Sequence, residues 1–273
     1  MTDRYCVFGN PIGHSKSPLI HSAFARQTGE DIGYSAILAP LDGFAASVHA
    51  FVAAGGCGAN VTVPFKEQAW QLVSRRTARA ELAGAVNTLV FGNVGAVGDN
   101  TDGAGLLRDI TLNLHCPLLA RRVLLLGAGG AARGVSGPLL DARPARLVIA
   151  NRTLTRAHAL AEHFAPLGAI TGCDYSELAG QSFDIVINAT SASLGDALPP
   201  LPSGLFAAGS LAYEMMYGRE DTPFLAFARE QGAQQLADGL GMLVEQGAES
   251  FYLWRGVRPE VTPVIAMLRN SGA

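Results

Sequence analysis

The feature that most constrains this 273-residue chain is a glycine-rich turn, Gly127-x-Gly129-x-x-Ala132, set between an apolar strand and a helix. The run Arg122–Leu126 before it reads as the strand, and the small-residue stretch after it, to about Asp141, reads as the helix. In such a turn the first glycine makes the tight bend and the second lets the backbone approach a pyrophosphate. The third position needs a small residue for helix–strand packing, here Ala132. The unpaired N–H groups and the dipole of the helix start favour a dianionic group. Gly127, Ala128, Gly129, Gly130 and Ala131 are therefore candidate dinucleotide ligands. A purely structural turn is the bland alternative.

The following strand selects the nucleotide. A site for NAD would place Asp or Glu at its end to bond the ribose 2′-hydroxyl. Here the strand Arg146–Ala150 runs into Asn151-Arg152-Thr153, with Arg156 a turn later and no acid. Asn151 and Thr153 offer hydrogen bonds, and Arg152 and Arg156 can clamp a 2′-phosphate. The expected cofactor is NADP. In an arginine-rich chain both could instead be solvated surface charges, but they stand where that phosphate would sit.

Short apolar runs alternate with amphipathic stretches along the whole chain, the rhythm of α/β folding. Strands are expected at Arg4–Gly9, Tyr34–Ala39, Ala59–Val63, Ala85–Phe91, Val94–Gly98, Asp184–Asn188, Ser210–Glu214 and Gln234–Ala237. Gly92-Asn93 supplies the turn of a hairpin. Helices are expected over about Pro18–Gly29, Phe44–Ala54, Gly103–Leu112, Thr155–Phe164, Thr222–Gly232 and Leu240–Arg255, with others starting near Phe65 and Pro259.

Composition narrows the class. The net charge of -3 argues against binding to nucleic acid, which would want a basic face. No apolar run reaches the 18 or so residues of a membrane span, and the start of the chain does not read as a signal peptide. Cys6, Cys57, Cys116 and Cys173 form no C-x-x-C pair, so a reduced, cytoplasmic protein is expected. Of 20 basic residues only Lys16 and Lys66 are lysines. Codon preference would explain this, but so would a need for lysine where a permanently charged arginine could not release a proton.

Three polar clusters precede the nucleotide turn. The first, Gly9–Pro18, carries Ser15, Lys16 and Ser17 at the entrance to a helix. Ser17 before Pro18 is a good N-cap, which leaves Ser15 unexplained. In the second, Gly58–Lys66, strand alternation puts Asn60 and Thr62 on one face, either an edge in water or a ligand face, with Lys66 just beyond. The third joins Asn87, within Ala85–Thr88, to the run Asp99–Gly103, where Asp102 could simply cap a helix. Hydroxyls, amides, one lysine and one carboxylate suit a small polyhydroxylated substrate. The six histidines show no metal-binding spacing, and no metal is expected.

These motifs closely resemble those of the shikimate dehydrogenase family. The carrying residues are Ser15-Lys16-Ser17, Asn60-Val61-Thr62-x-Pro64-x-Lys66, Ala85–Thr88, Asp99–Gly103, Gly127–Ala131, Asn151–Thr153 and Gly239–Val244 with Gln246, in family order. The resemblance implies reversible NADPH-dependent reduction of 3-dehydroshikimate to shikimate, a step towards chorismate and the aromatic amino acids. It implies a two-domain α/β fold with a central cleft: a substrate domain (1–104 and 240–273) and a Rossmann-type NADP domain (105–239). Lys66 would be the catalytic acid and base, helped by Asp102. Ser15, Ser17, Asn60, Thr62, Asn87, Tyr217 and Gln246 would hold shikimate. Met215, Gly239 and Met242 would line the nicotinamide side, Met242 and Gln246 sharing a helix face. The partners are then a small molecule and NADP, on a monomer or homodimer. Glu214, Ala78 and Ser191-Ala192-Ser193-Leu194 depart from the usual family residues. A quinate/shikimate dehydrogenase using NAD, or a non-catalytic binding module, are the rival readings.

Overall fold

The computed structural model describes residues 2–92, 95–190, 197–218 and 220–271. The chain forms two compact units, Met1–Gly105 with Leu243–Ala273, and Leu106–Met242.

The first unit is built on a mixed six-stranded sheet. Its strands are β1 (Asp3–Gly9), β2 (Ile32–Leu38), β3 (Gly56–Val61), β4 (Arg75–Arg76), β5 (Thr88–Gly92) and β6 (Gly95–Asp99), in the spatial order β2-β1-β3-β5-β6-β4. β1 lies parallel to β2 and β3, whereas β5 runs antiparallel to β3 and β6. The helices are α1 (Ser17–Thr28), α2 (Phe44–Ala53), α3 (Lys66–Leu72), α4 (Ala78–Ala83) and α5 (Asp102–Arg108), with α10 (Thr262–Asn270) near the C-terminus. Phe8 meets Phe44 and Phe51 edge to face, and Phe44 stacks on Phe65, all of them buried. These aromatic contacts add to the burial of apolar area that holds the layer of helices on the sheet.

The second unit is the doubly wound arrangement of a Rossmann-type domain. A fully parallel sheet runs β12-β11-β10-β7-β8-β9, with β7 (Arg122–Leu126), β8 (Arg146–Ala150), β9 (Ile170–Cys173), β10 (Phe183–Asn188), β11 (Phe206–Glu214) and β12 (Gln235–Ala237). Its helices are α6 (Gly130–Asp141), α7 (Leu154–Phe164) and α8 (Pro223–Glu230). The central strands carry continuous apolar runs, Val123–Leu126, Leu147–Ala150 and Ile185–Ile187, buried on both faces as a parallel sheet covered by helices requires. The remaining helix, α9 (Leu240–Arg255), starts in this unit and ends in the first.

Several local expectations change. β4, α4 and β9 are too short for periodicity to reveal. The helix expected to about Leu112 is α-helical only to Arg108 and continues as a π-turn over Asp109–Asn113. Asp109, buried inside that turn, accepts the Tyr213 hydroxyl at 2.6 Å. Ser17 is the first helical residue rather than the N-cap, and Lys16 holds the cap position with no side-chain bond. It is Ser15 whose Oγ accepts the Ser17 N–H, at 3.3 Å. Asn93 of the expected hairpin turn and Ser191–Leu194 lie outside the described residues.

Candidate active site

Lys66 opens α3, where its carbonyl accepts the Val86 N–H at 2.9 Å and so ties the helix start to the segment before β5. Its Nζ donates to Asp102 Oδ2 at 2.6 Å, with both side chains partly exposed. Asp102 begins α5, but its carboxylate serves the site rather than the helix end. Oδ2 takes Lys66 and Oδ1 accepts Asn87 Nδ2 at 2.7 Å. The loop that presents Asp102 is held from behind. Buried Asp99 receives Arg79 on both oxygens, at 2.6 and 2.8 Å, and also the Thr77 hydroxyl at 2.6 Å. Asn100 Oδ1 accepts the Asp102 N–H at 3.1 Å.

Gln246, on α9, directs Oε1 towards Asn87 Nδ2 at 3.4 Å while its own Nε2 donates to Leu243 O. Asn60 is buried, because β3 is an interior strand between β1 and β5 and not an edge in water. Its Nδ2 donates to Ser250 Oγ at 2.9 Å, and its Oδ1 accepts the Tyr34 hydroxyl at 2.7 Å. Thr62 lies one residue past β3, in a turn closed by Phe65 N–H on Thr62 O, and is half-buried. Ser15 and Ser17 sit half-buried at the start of α1. The structure thus joins Lys66, Asp102, Asn87 and Gln246 by direct contact, and Asn60 by its Nδ2 on Asn87 O at 3.2 Å as well as through Ser250 and Thr88. Thr88, Thr101, Tyr34 and Ser250 belong to the same cluster, yet the sequence reading passed over them. Thr88 and Thr101 sat inside motifs already marked, but nothing local distinguished them from strand and turn threonines.

In the second unit, Gly127 has φ +104, and a Cβ there would stand 3.3 Å from Ala189 O, so the turn needs glycine. Gly129 and Gly130 are different, since a Cβ at either would meet nothing among the described residues. Their smallness serves no packing there and leaves room for a ligand. α6 begins at Gly130 with no side-chain cap, so its first-turn N–H groups remain for an anion. A cavity of about 570 Å³ is lined by Gly127–Ala131, Asn151, Arg152, Arg156, Tyr175, Thr190 and residues 197–200. These features fit NADP: a pyrophosphate at the turn and a 2′-phosphate at two exposed guanidiniums. Thr153 does not line the cavity but is the N-cap of α7, its carbonyl accepting Asn151 Nδ2 at 2.9 Å. Tyr175 was missed because it follows β9, itself unrecognised.

Met215 and Gly239 touch. A Cβ on Gly239 would fall 2.1 Å from Met215 O, and Gly239 N–H bonds Met216 O. Met242 is buried on α9, and Tyr217 is half-buried, its phenol pKa raised by that burial. Glu214, fully buried, accepts Asn188 Nδ2 at 2.8 Å and Thr222 Oγ1 at 3.1 Å, locking the ends of β10 and β11 together.

A Rossmann-type unit with an arginine-lined nucleotide cavity and a mixed-sheet unit carrying a lysine–carboxylate pair together define the two-unit α/β dehydrogenase class. Family models match in three segments: the shikimate dehydrogenase substrate binding domain over residues 7–89, shikimate / quinate 5-dehydrogenase over 112–195, and the shikimate 5'-dehydrogenase C-terminal domain over 239–269. The chain belongs to the shikimate dehydrogenase family. A shikimate dehydrogenase (NADP(+)) of Nitrosospira multiformis is 64% identical over 271 residues, 99% of this chain and 98% of that one. The crystal structure of an Ael1 enzyme from Pseudomonas putida is 54% identical with a TM-score of 0.94, covering 98% of each chain. The shikimate 5-dehydrogenase of Thermus thermophilus, solved with NADP(H) and shikimate, is 32% identical with a TM-score of 0.88, covering 99% of this chain and 100% of that one.

Proposed function

We propose that this chain is a shikimate dehydrogenase, catalysing the reversible NADP-dependent interconversion of shikimate and 3-dehydroshikimate. The observation that carries the chemistry is the Lys66–Asp102 contact at 2.6 Å, within a family whose close relatives bear that activity by name. When bound, the dinucleotide supplies the hydride that reduces the ring carbonyl carbon. The carbonyl oxygen must then gain a proton. Lys66 Nζ donates it, and in the reverse direction the neutral amine accepts the hydroxyl proton. Asp102 holds the ammonium in place through one N–H and leaves its other two N–H groups for the substrate. Asn87 and Gln246 take substrate hydroxyls beside this pair, together with Thr62 and Asn60. Ser15, Ser17 and Tyr217 complete the substrate set.

The Met1–Gly105 and Leu243–Ala273 unit is the substrate domain on this reading, and Leu106–Met242 the NADP domain. Arg152 and Arg156 hold the 2′-phosphate, and Met215, Gly239 and Met242 serve the nicotinamide end. No helix among the described residues is long and apolar enough to cross a membrane. We read the protein as cytoplasmic, from its four free cysteines, and as a monomer or homodimer. One assay tests the function: absorbance at 340 nm with shikimate and NADP, against quinate and NAD. Turnover confined to the first pair is expected. Faster turnover of quinate, or of NAD, would replace the reading.

A further inference from the structure

The carboxamide of Asn87 has one orientation open to it. Its Oδ1 receives the backbone N–H of Thr101 at 2.8 Å, and a backbone N–H can only donate. Nδ2 must face the other way, donating to Asp102 Oδ1 at 2.7 Å and Thr101 Oγ1 at 2.9 Å. A flipped amide would set its oxygen against a carboxylate oxygen. The Thr88 hydroxyl donates to the same Oδ1 at 2.9 Å and is itself supplied from behind. Asn60 Nδ2 donates to Thr88 Oγ1 at 3.2 Å, and Tyr34 donates to Asn60 Oδ1 at 2.7 Å. Ser250 Oγ stands 2.8 Å from Thr88 Oγ1 and closes the cluster on the α9 side. Asn60, Asn87, Thr88, Thr101 and Ser250 are all buried. The donors therefore run in one direction, from Tyr34 through Asn60, Thr88 and Asn87 to Asp102. Chains of one polarity strengthen each bond in a low-dielectric interior.

We propose that Thr88 is a positioning residue for the reaction, its buried hydroxyl holding the Asn87 carboxamide with its N–H donors on Asp102. It does so without touching Lys66, and it acts through Asn87. The proposal rests on reading Lys66 and Asp102 as the proton-transfer pair. Removing the hydroxyl takes one of the donors from Asn87 Oδ1, while Asn60 Nδ2 keeps Asn87 O and Ser250 Oγ as acceptors. Asn87 then loosens, and Asp102 loses a fixed partner on the side opposite the lysine.

The test compares Thr88→Val, near in shape but without the hydroxyl, with Thr88→Ser in the full-length protein. With shikimate and NADP, the valine variant should lose about tenfold in kcat/KM for shikimate, the scale of one hydrogen bond, while KM for NADP holds. Serine should restore activity to within about twofold of wild type. A valine variant with wild-type kinetics, or a serine variant as impaired as valine, overturns the proposal. Should valine not fold, the wild-type protein decides by NMR. The Asn87 side-chain amide protons should exchange far more slowly than those of exposed Gln71, and equal exchange would sink the idea. Wild-type turnover of shikimate tests the functional reading separately, and the amide exchange needs no substrate at all.

Discussion

Lys66 is one of two lysines in a chain that otherwise uses arginine, and its ammonium lies 2.6 Å from a carboxylate. If it moves a proton, Lys66→Ala should lower kcat by about 10²–10⁴-fold, with a smaller change in KM for shikimate. Lys66→Arg discriminates the roles, because a guanidinium keeps the charge and the contact but cannot deprotonate near neutrality. Arginine should be nearly as inactive as alanine in steady-state assays, and substantial recovery of kcat would leave Lys66 as a binding residue only. Arg152 makes a parallel case in the second unit, since it lines the nucleotide cavity at the end of β8 and is exposed. Arg152→Ala should raise KM for NADPH about tenfold or more, the loss of a charge-assisted contact, and leave NADH nearly unchanged. Equal losses for both nucleotides would place Arg152 on the pyrophosphate or in the fold.

At the scale of elements, the loop between β6 and α5 carries Asp102, and a part-buried ion pair, Arg79 on buried Asp99, holds that loop to α4. Arg79 spans Asp99 with two bonds and reaches Glu249 on α9 at 3.0 Å, while Arg258 bonds Glu249 from the other side. Such pairs add little over well-packed apolar residues, but removing one partner strands the other charge. Arg79→Leu should cost about 3 kcal/mol in urea unfolding, and it should lower activity through the Asp102 loop even where the protein is folded. A loss below about 1 kcal/mol, on the order of an exposed pair, would show that water reaches Asp99 easily. None of this was legible in the sequence. α4 is six residues long, and the pairing of Arg79 with Asp99 and Glu249 joins positions 20 and 170 apart.

For the molecule as a whole, stability should depend on pH through His21. The ring is buried, stacked on Tyr34 at 4.2 Å and flanked by Phe251 and Trp254, and its nitrogens make no hydrogen bond among the described residues. Burial drives its pKa down to about 3, and nearby Asn60 opposes that only in part. The unfolded chain, with an ordinary histidine near 6.5, binds a proton that the folded state refuses. Stability from this residue is therefore full above pH 6.5 and falls as pH drops towards 3, by about 1.4 kcal/mol per pH unit. Urea midpoints between pH 7 and pH 5 should show a loss of about 2 kcal/mol from this source, and His21→Phe should flatten the slope. An unchanged slope in that variant would assign the acid sensitivity to other groups.

What the sequence determined by itself is whatever its signals encode within a few residues. The bounds of β7, β8 and α9 follow from apolar runs and turn chemistry, and the structure repeats them residue for residue. The glycine turn, its strand–helix context and the absence of an acid after β8 are local too, and with them came the α/β class and the preference for NADP. The family motifs were readable because each is a short contiguous run. Tertiary structure alone decided which of those runs meet. It set β3 inside the sheet and so turned Asn60 inward. It moved the capping bond from Ser17 to Ser15, and it spent the Asp102 carboxylate on Lys66 and Asn87 rather than on its helix. A side chain's hydrogen-bond partner depends on what the fold brings within about 3 Å, and here those partners come from strands and helices tens of residues away, where no local pattern can register them.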